Sequence, residues 1–294
     1  MIAPANNKDC YFTGIIPDFN FRFTFADCSE AVTSILGYHS AIGDEASGLL
    51  ASSLVGSFLI SDLVKQNTKV SIQLSFFETN VLHSILAYSD RSGFMKGTAR
   101  FRSEEDVIQE EDALETVGTM KVFRWKDGEC IYQSYVTYQA VDFEVNLMKY
   151  LGESEQIFSL AKVFVKKEND TWIAKGVILQ AIPGVTEEQI ETVRNGFRKF
   201  SADSSGLYSE DMNSIMDTLR TDIGVKEFDF LEKGIPRAQC DCGREKLKNV
   251  MVSFGRQYLE DVIKEIGFVE FTCEFCNTRY MFEKDEVGAI INEM

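Results

Sequence analysis

Cys240-Asp-Cys242 and Cys273-Glu-Phe-Cys276, separated by thirty residues, gather four thiols near the C-terminal end of a 294-residue chain that has only two histidines. Four deprotonated thiols are the soft, tetrahedral donor set that zinc takes at roughly 2.3 Å per sulfur. Two short cysteine hairpins brought together by folding would complete that shell and leave no coordination position for water. Such a closed site is structural or redox-active, whereas hydrolytic zinc keeps a water position and often uses histidine. His39 and His83 stand far upstream and are not expected to be ligands. The four sulfurs can also be oxidised, so metal binding and disulfide formation compete for the same atoms. In a tetrahedron they lie about 3.8 Å apart, which leaves all three disulfide pairings open. The single residue between Cys240 and Cys242 departs from the commonest zinc-ribbon spacing.

Composition bounds what such a site could serve. The chain is 45% hydrophobic and long enough for one substantial core and a smaller module. Its net charge of −16 argues against a nucleic-acid or anionic-membrane binder, because phosphate rewards clustered Lys and Arg. From Arg237 to the end there are 8 basic and 11 acidic residues, so a nucleic-acid zinc ribbon is disfavoured. Seven cysteines, an odd number, do not resemble a secreted disulfide scaffold and point to a reducing, cytoplasmic compartment. The start lacks a basic region followed by an apolar one, so no secretory signal is expected. The longest apolar stretch, Leu49 to Val64, is broken by Ser52, Ser53, Gly56, Ser57, Ser61 and Asp62. It reads as a buried helix rather than a membrane span.

Hydrophobic periodicity supplies the elements that must position the cysteines. Tyr11 to Phe25 reads as strands around a Pro17-Asp18 turn, and Ala46 to Lys65 as a long central helix. Val70 to Phe76 alternates as a half-buried strand does. Val81 to Tyr88 and Phe94 to Phe101 flank a hairpin loop, as do Lys121 to Trp125 and Cys130 to Tyr138. A helix over about Asp142 to Gly152 precedes a last pair, Gln156 to Val165 with Trp172 to Gln180. The acidic run Glu104-Glu-Asp106 and Glu110-Glu-Asp112 reads as a solvated face without EF-hand spacing. After Pro183-Gly184 the pattern turns to short amphipathic helices. Thr186-Glu-Glu-Gln189 is a capping box before Ile190, Val193, Phe197 and Phe200, and Ser201 to Gly206 breaks that helix. A second helix starts at Ser209-Glu-Asp-Met212 and puts Met212, Ile215, Met216 and Leu219 on one face. Helices this short need something to pack against. The expected chain is α+β: a mainly antiparallel sheet domain with packed helices over 1–183, an amphipathic helical linker over 184–236, and a small tetrathiolate zinc domain over 237–294. Val269 to Thr272 and Arg279 to Phe282 read as strands flanking the second cysteine pair.

Cys240-Asp-Cys-Gly-Arg-Glu-Lys246 and Val269-Glu-Phe-Thr-Cys-Glu-Phe-Cys-Asn277, followed by Tyr280 and Phe282, resemble the redox-regulated heat shock protein 33 (33 kDa chaperonin) family of holdase chaperones. Glu153-Ser-Glu-Gln156 and Gly176-Val-Ile-Leu-Gln-Ala-Ile-Pro-Gly184 also match, in the same order. Upstream the likeness weakens: a Gly-Pro expected near Asn80-Val-Leu-His83 is absent, and an Arg-Gly-Tyr is replaced by Lys96-Gly-Thr98. The resemblance implies a switch. The reduced form, with one zinc on Cys240, Cys242, Cys273 and Cys276, is inactive. Oxidation forms disulfides Cys240–Cys242 and Cys273–Cys276, releases zinc, unfolds the linker and exposes apolar surface to unfolding client proteins. It also implies a homodimer when oxidised, and no enzyme activity.

Energies are compatible with that switch. Zinc-coupled folding of a small module is worth roughly 10 to 16 kcal/mol, whereas a disulfide closing a three- or four-residue loop contributes about 2 kcal/mol or less. Oxidation therefore removes more stability than it restores, and a linker packed on the zinc module would lose its partner. Arg244, Lys246 and Lys248 could offset thiolate charge or form a solvated face. Cys10, Cys28 and Cys130 read as ordinary thiols. Two other classes compete: a constitutive zinc-ribbon adaptor for nucleic acid or a protein partner, and a thiol oxidoreductase using Cys273 and Cys276, which usually requires a helix N-terminus at the motif.

Overall fold

The structure, a computed structural model, describes residues 9–39, 42–77, 81–103, 116–139, 142–202 and 211–294. The acidic run at 104–112, most of the break at 201–206 and the Ser209 start lie outside the described residues. The chain divides into two compact units, Met1–Ala238 and Gln239–Met294.

The first unit holds two sheets. One is five-stranded and antiparallel, built from β1 (Cys10–Ile16), β2 (Phe21–Asp27), β8 (Ser159–Glu168), β9 (Thr171–Ala181) and β10 (Asp229–Gly234) in the order β10-β1-β2-β9-β8. The other contains β3 (Lys69–Phe76), β4 (Leu82–Asp90), β5 (Phe94–Phe101), β6 (Thr116–Lys126) and β7 (Glu129–Gln139). The short β11 (Arg237–Ala238) completes it, giving the order β11-β5-β4-β3-β6-β7, with only β11 running parallel to its neighbour. The expected strands and their hairpins are all present. Sequence reading did not foresee β10, whose partner β1 lies over two hundred residues away, nor the helix α1 (Ser29–Gly37).

The helix α2 (Asp44–Leu63) fills the space between the inner faces of the two sheets. Leu50, Leu54, Val55, Phe58 and Leu59 meet Val70, Ile72 and Leu74 from one sheet and Ala174 and Ile178 from the other. By length and mean hydropathy, 1.4, α2 would pass for a membrane span, but 72% of that window is buried within the protein. Its serines are tolerated there because they donate back along the helix, Ser53 to Leu49 O at 2.8 Å, Ser57 to Leu54 O at 2.9 Å and Ser61 to Phe58 O at 2.7 Å. At its end the buried Asp62 accepts from Thr24 Oγ1 at 2.6 Å and pairs with Arg22 and Arg91, both at 3.1 Å. Arg91 also holds Glu232 of β10 at 2.9 Å. A helix α3 (Phe143–Tyr150), continuing into one π-helical turn (Leu151–Glu155), follows β7.

The period-two alternation of β2 sends Thr24 and Ala26 toward α2 and Phe21, Phe23 and Phe25 to the opposite face of the sheet. There they join Val177, Leu179 and Phe164 in a second core, closed by two helices from the 184–236 segment: α4 (Glu187–Ala202) and α5 (Met212–Ile223). Val193, Phe197, Phe200, Met212, Ile215, Met216 and Leu219 are all buried against that face. The Thr186 capping box is present, with Thr186 N donating to Gln189 Oε1 at 2.9 Å and Gln189 N to Thr186 Oγ1 at 3.2 Å. Asp211 caps α5 by accepting from the backbone of Asn213 and Ser214. Sequence reasoning took the zinc module as the packing partner of these helices; the partner seen is the five-stranded sheet. Its aromatic face offers far more apolar area than a small cysteine module.

The two linker helices cross where Gly196 leaves no room for a side chain: a Cβ there would come within 2.6 Å of Ile223 Cα and 2.7 Å of Asp222 O. Gly196→Val is expected to part α4 from α5 at a cost of about 1 to 3 kcal/mol. A rise in binding of an apolar dye with retained sheet signal in circular dichroism would check it. Asp62→Ala leaves two guanidinium groups without their shared carboxylate, and chemical denaturation should show a loss of about 3 kcal/mol.

Candidate metal centre

The second unit buries few of its apolar residues. Its helices α6 (Arg244–Phe254) and α7 (Arg256–Glu265) meet at Gly255, with φ +84°, and α7 leads through Gly267, with φ +92°, into the hairpin β12 (Phe268–Thr272) and β13 (Arg279–Glu283). The last helix, α8 (Lys284–Glu293), opens on a capping box between Glu283 and Glu286. Among the described residues its core consists of Met251, Leu259, Phe282, Val287, Ile290 and Ile291. A core this small calls for a staple.

The four cysteines supply one. Their Sγ atoms all lie within 4.8 Å of one another, each residue half-buried. Cys240 to Cys273 is 3.6 Å and Cys242 to Cys276 is 3.4 Å. These distances approach the 3.8 Å edge of a zinc tetrathiolate tetrahedron, and the all-sulfur donor set is consistent with zinc. Residues Cys273 to Thr278 form the turn between β12 and β13. Cys273 N donates to Thr278 O at 2.9 Å, Asn277 N donates to Cys273 O at 2.8 Å, and Asn277 takes a left-handed φ of 54°. Cys240 and Cys242 are not on a hairpin, contrary to expectation: residues 239–243 have no regular structure and run directly into α6. Two hydroxyls reach the sulfurs, Tyr280 to Cys242 at 3.0 Å and Thr278 to Cys276 at 3.2 Å.

Without metal, burial raises the Cys240 and Cys242 thiols. Burial opposes the Cys276 thiolate too, but hydrogen bonds from Thr278 and contacts with Cys242 and Cys273 bring it down to about 7. Divalent metal binding would therefore displace protons from Cys240 and Cys242. The cations next to the motif are engaged elsewhere. Arg244 lies 4.2 Å over the Phe282 ring and bonds Met281 O at 3.0 Å and Glu286 at 2.7 Å. Lys246 pairs with Asp241 and Lys248 with Glu245.

The remaining thiols and histidines stay outside this cluster. Cys28 is buried, Cys10 half-buried and Cys130 exposed, all in the sheet unit. Burial, then Asp27 and Asp9, pushes Cys10 up to about 11, and burial raises Cys28 well above the usual thiol range. His39 bonds Gly97 O at 3.0 Å. Cys273 and Cys276 sit in a strand-to-strand turn, not at a helix N-terminus, so the dipole that activates a thiol oxidoreductase is missing from this motif. The sequence reading missed α6, α7 and α8, although Gly255, Gly267 and the Glu283-to-Glu286 spacing were available as punctuation. It also missed the two hydroxyls, for which sequence holds no signal.

The profile of the Hsp33 protein family matches residues 9–283. A 33 kDa chaperonin from Thermus thermophilus is 25% identical over 294 residues, covering 96% of this chain and 86% of that protein. A 33 kDa chaperonin from Streptococcus agalactiae is 26% identical over 285 residues, covering 93% and 95%. In fold, the chain is similar to the crystal structure of the 33 kDa chaperonin of Thermotoga maritima, with a TM-score of 0.81 at 24% identity over 98% of this chain and 99% of that one. The family match takes in both the layered sheet unit and the cysteine-bearing unit, and the chain belongs to the Hsp33 family.

Proposed function

We propose that this protein is a redox-regulated, ATP-independent holdase chaperone without enzyme activity, inactive when reduced and metal-bound and active when oxidised. The observation that carries the reading is the aromatic sheet face of Phe21, Phe23 and Phe25. It is covered by α4 and α5, two amphipathic helices of 16 and 12 residues that draw most of their stability from packing on that face. Uncovering it exposes a contiguous apolar surface of the kind that captures unfolding chains.

Cys240, Cys242, Cys273 and Cys276 are the proposed ligands of one zinc ion. Zinc bound there would offset half of the charge of four thiolates and cross-link them. Forming each disulfide removes two electrons from two thiolates. A peroxide accepts them and, with protons, becomes water. The proposed pairs are Cys240 with Cys242 and Cys273 with Cys276, neighbours in sequence, although close sulfur contacts also cross between the motifs. The second unit, left with its small core, then unfolds. Only Gln239 separates Cys240 from β11, so the disorder reaches β11 and β10 first. Once β10 leaves β1, α4 and α5 are held at one end only. We place the protein in the cytoplasm, with unfolding proteins as its clients, a homodimer as its oxidised form, and no affinity for nucleic acid or membrane given its net charge of −16.

Treating the zinc-loaded protein with peroxide under mildly unfolding conditions should release one zinc per chain, lower the helix content and suppress aggregation of a denatured client. Release without any gain in suppression would sink the switch, and salt-sensitive RNA binding by the reduced form would favour an adaptor. Since protons occupy the raised Cys240 and Cys242 thiols in the metal-free state, zinc affinity should fall as pH is lowered. Calorimetry in buffers of different ionisation enthalpy counts the protons released.

A further inference from the structure

The two arms that carry the cysteines are held very differently. Cys273 and Cys276 belong to a hydrogen-bonded strand turn, whereas Cys240 and Cys242 lie on a stretch with no regular structure. Arg244, just past this arm, anchors the start of α6 to Met281 O and Glu286, but a contact on the sulfur itself must come from elsewhere. Tyr280 is placed to supply it. Its backbone pairs with Phe271 across the hairpin, and its ring packs against the buried core of the unit. That leaves few ways for the ring to turn, and its hydroxyl lies 3.0 Å from Cys242 Sγ. A metal-bound thiolate has no proton to give, so in the loaded state the hydroxyl donates and the sulfur accepts.

We infer that Tyr280 is a positioning residue of the metal centre. Its hydroxyl donates to Cys242 Sγ, ties the irregular arm to β13 and stabilises the negative charge on that sulfur, thereby slowing loss of the metal. The inference rests on the four-cysteine metal reading but not on the chaperone reading. A donor to a metal-bound thiolate lowers the energy of the sulfur electrons, and loss of such outer contacts typically costs 10- to 100-fold in metal affinity.

The test uses the full chain, reduced, loaded with cobalt for spectroscopy and with zinc for kinetics, comparing the parent with Tyr280→Phe. The ring remains, so the core packing remains. The expected result is a sulfur-to-cobalt charge-transfer band moved to lower energy and zinc transfer to a chromophoric chelator accelerated about tenfold. Site-specific replacement of Tyr280 by a ring-fluorinated tyrosine, a stronger donor of the same shape, should move the band the opposite way. Lost packing alone would not reverse the shift. A band and a transfer rate unchanged in both variants overturn the inference. A parent that binds no cobalt overturns it together with the metal reading. A parent that binds cobalt through four thiolates but protects no client leaves Tyr280 in its role and removes only the chaperone reading.

Discussion

Four sulfurs within 4.8 Å of one another form an arrangement that free thiolates would not keep, since like charges at that spacing repel strongly in a partly desolvated site. It is stable with the thiols protonated, with a divalent cation between them, or with sulfur bonded to sulfur. The fold of residues 239–294 depends on which of these holds, because the module has six buried apolar side chains and a few partly buried ones to keep it closed. Helices α6, α7 and α8 present mostly polar and charged surfaces, and Phe254, Tyr258 and Ile266 remain substantially exposed. A small change in the bonding of four atoms is therefore large relative to the rest of the module's stability.

The sheet unit has the opposite economy. Around α2 two sheets close a core in which even the serines find acceptors. Its exception is the outer face of the five-stranded sheet. Three phenylalanines of β2 face outward there, and the cover is drawn from a later part of the chain than the sheet it protects. β10 ties that later segment down through its antiparallel ladder with β1 and through the Arg91–Glu232 pair, with Asp62 and Arg22 behind it. An exposed edge pair of this kind is worth little by itself, so the cover is held chiefly by apolar contact, a grip that can be lost cooperatively.

Much of this was legible residue by residue. Tyr11 to Phe25 reads as strands, with the burial of both faces of β2 decided by packing, and the serine-interrupted run from Leu49 reads as a core helix rather than a span. The amphipathic stripes through Phe197 and Leu219 mark helices in need of a surface, but nothing local says which surface. The zinc module was a reasonable guess, and the aromatic sheet is the answer because it has more apolar area to cover. β10 was illegible for a related reason: a strand of Asp, Phe, Leu, Glu, Lys and Gly has weak periodicity, and its identity comes from the edge of β1 that it completes.

At the metal centre the division is sharper. Sequence alone singled out the four cysteines and the soft, all-sulfur donor set they offer, because residue type and local spacing are properties of the chain. Tertiary structure decided that Cys240 comes within 3.6 Å of Cys273 and Cys242 within 3.4 Å of Cys276, that one arm is a strand turn and the other irregular, and that hydroxyls from Tyr280 and Thr278 reach two of the sulfurs. Those facts depend on how β13 and the start of α6 are brought together across some thirty-five intervening residues. No spacing rule covers that distance, since it is settled by the packing of Phe282, Leu259 and Ile290 beneath the site.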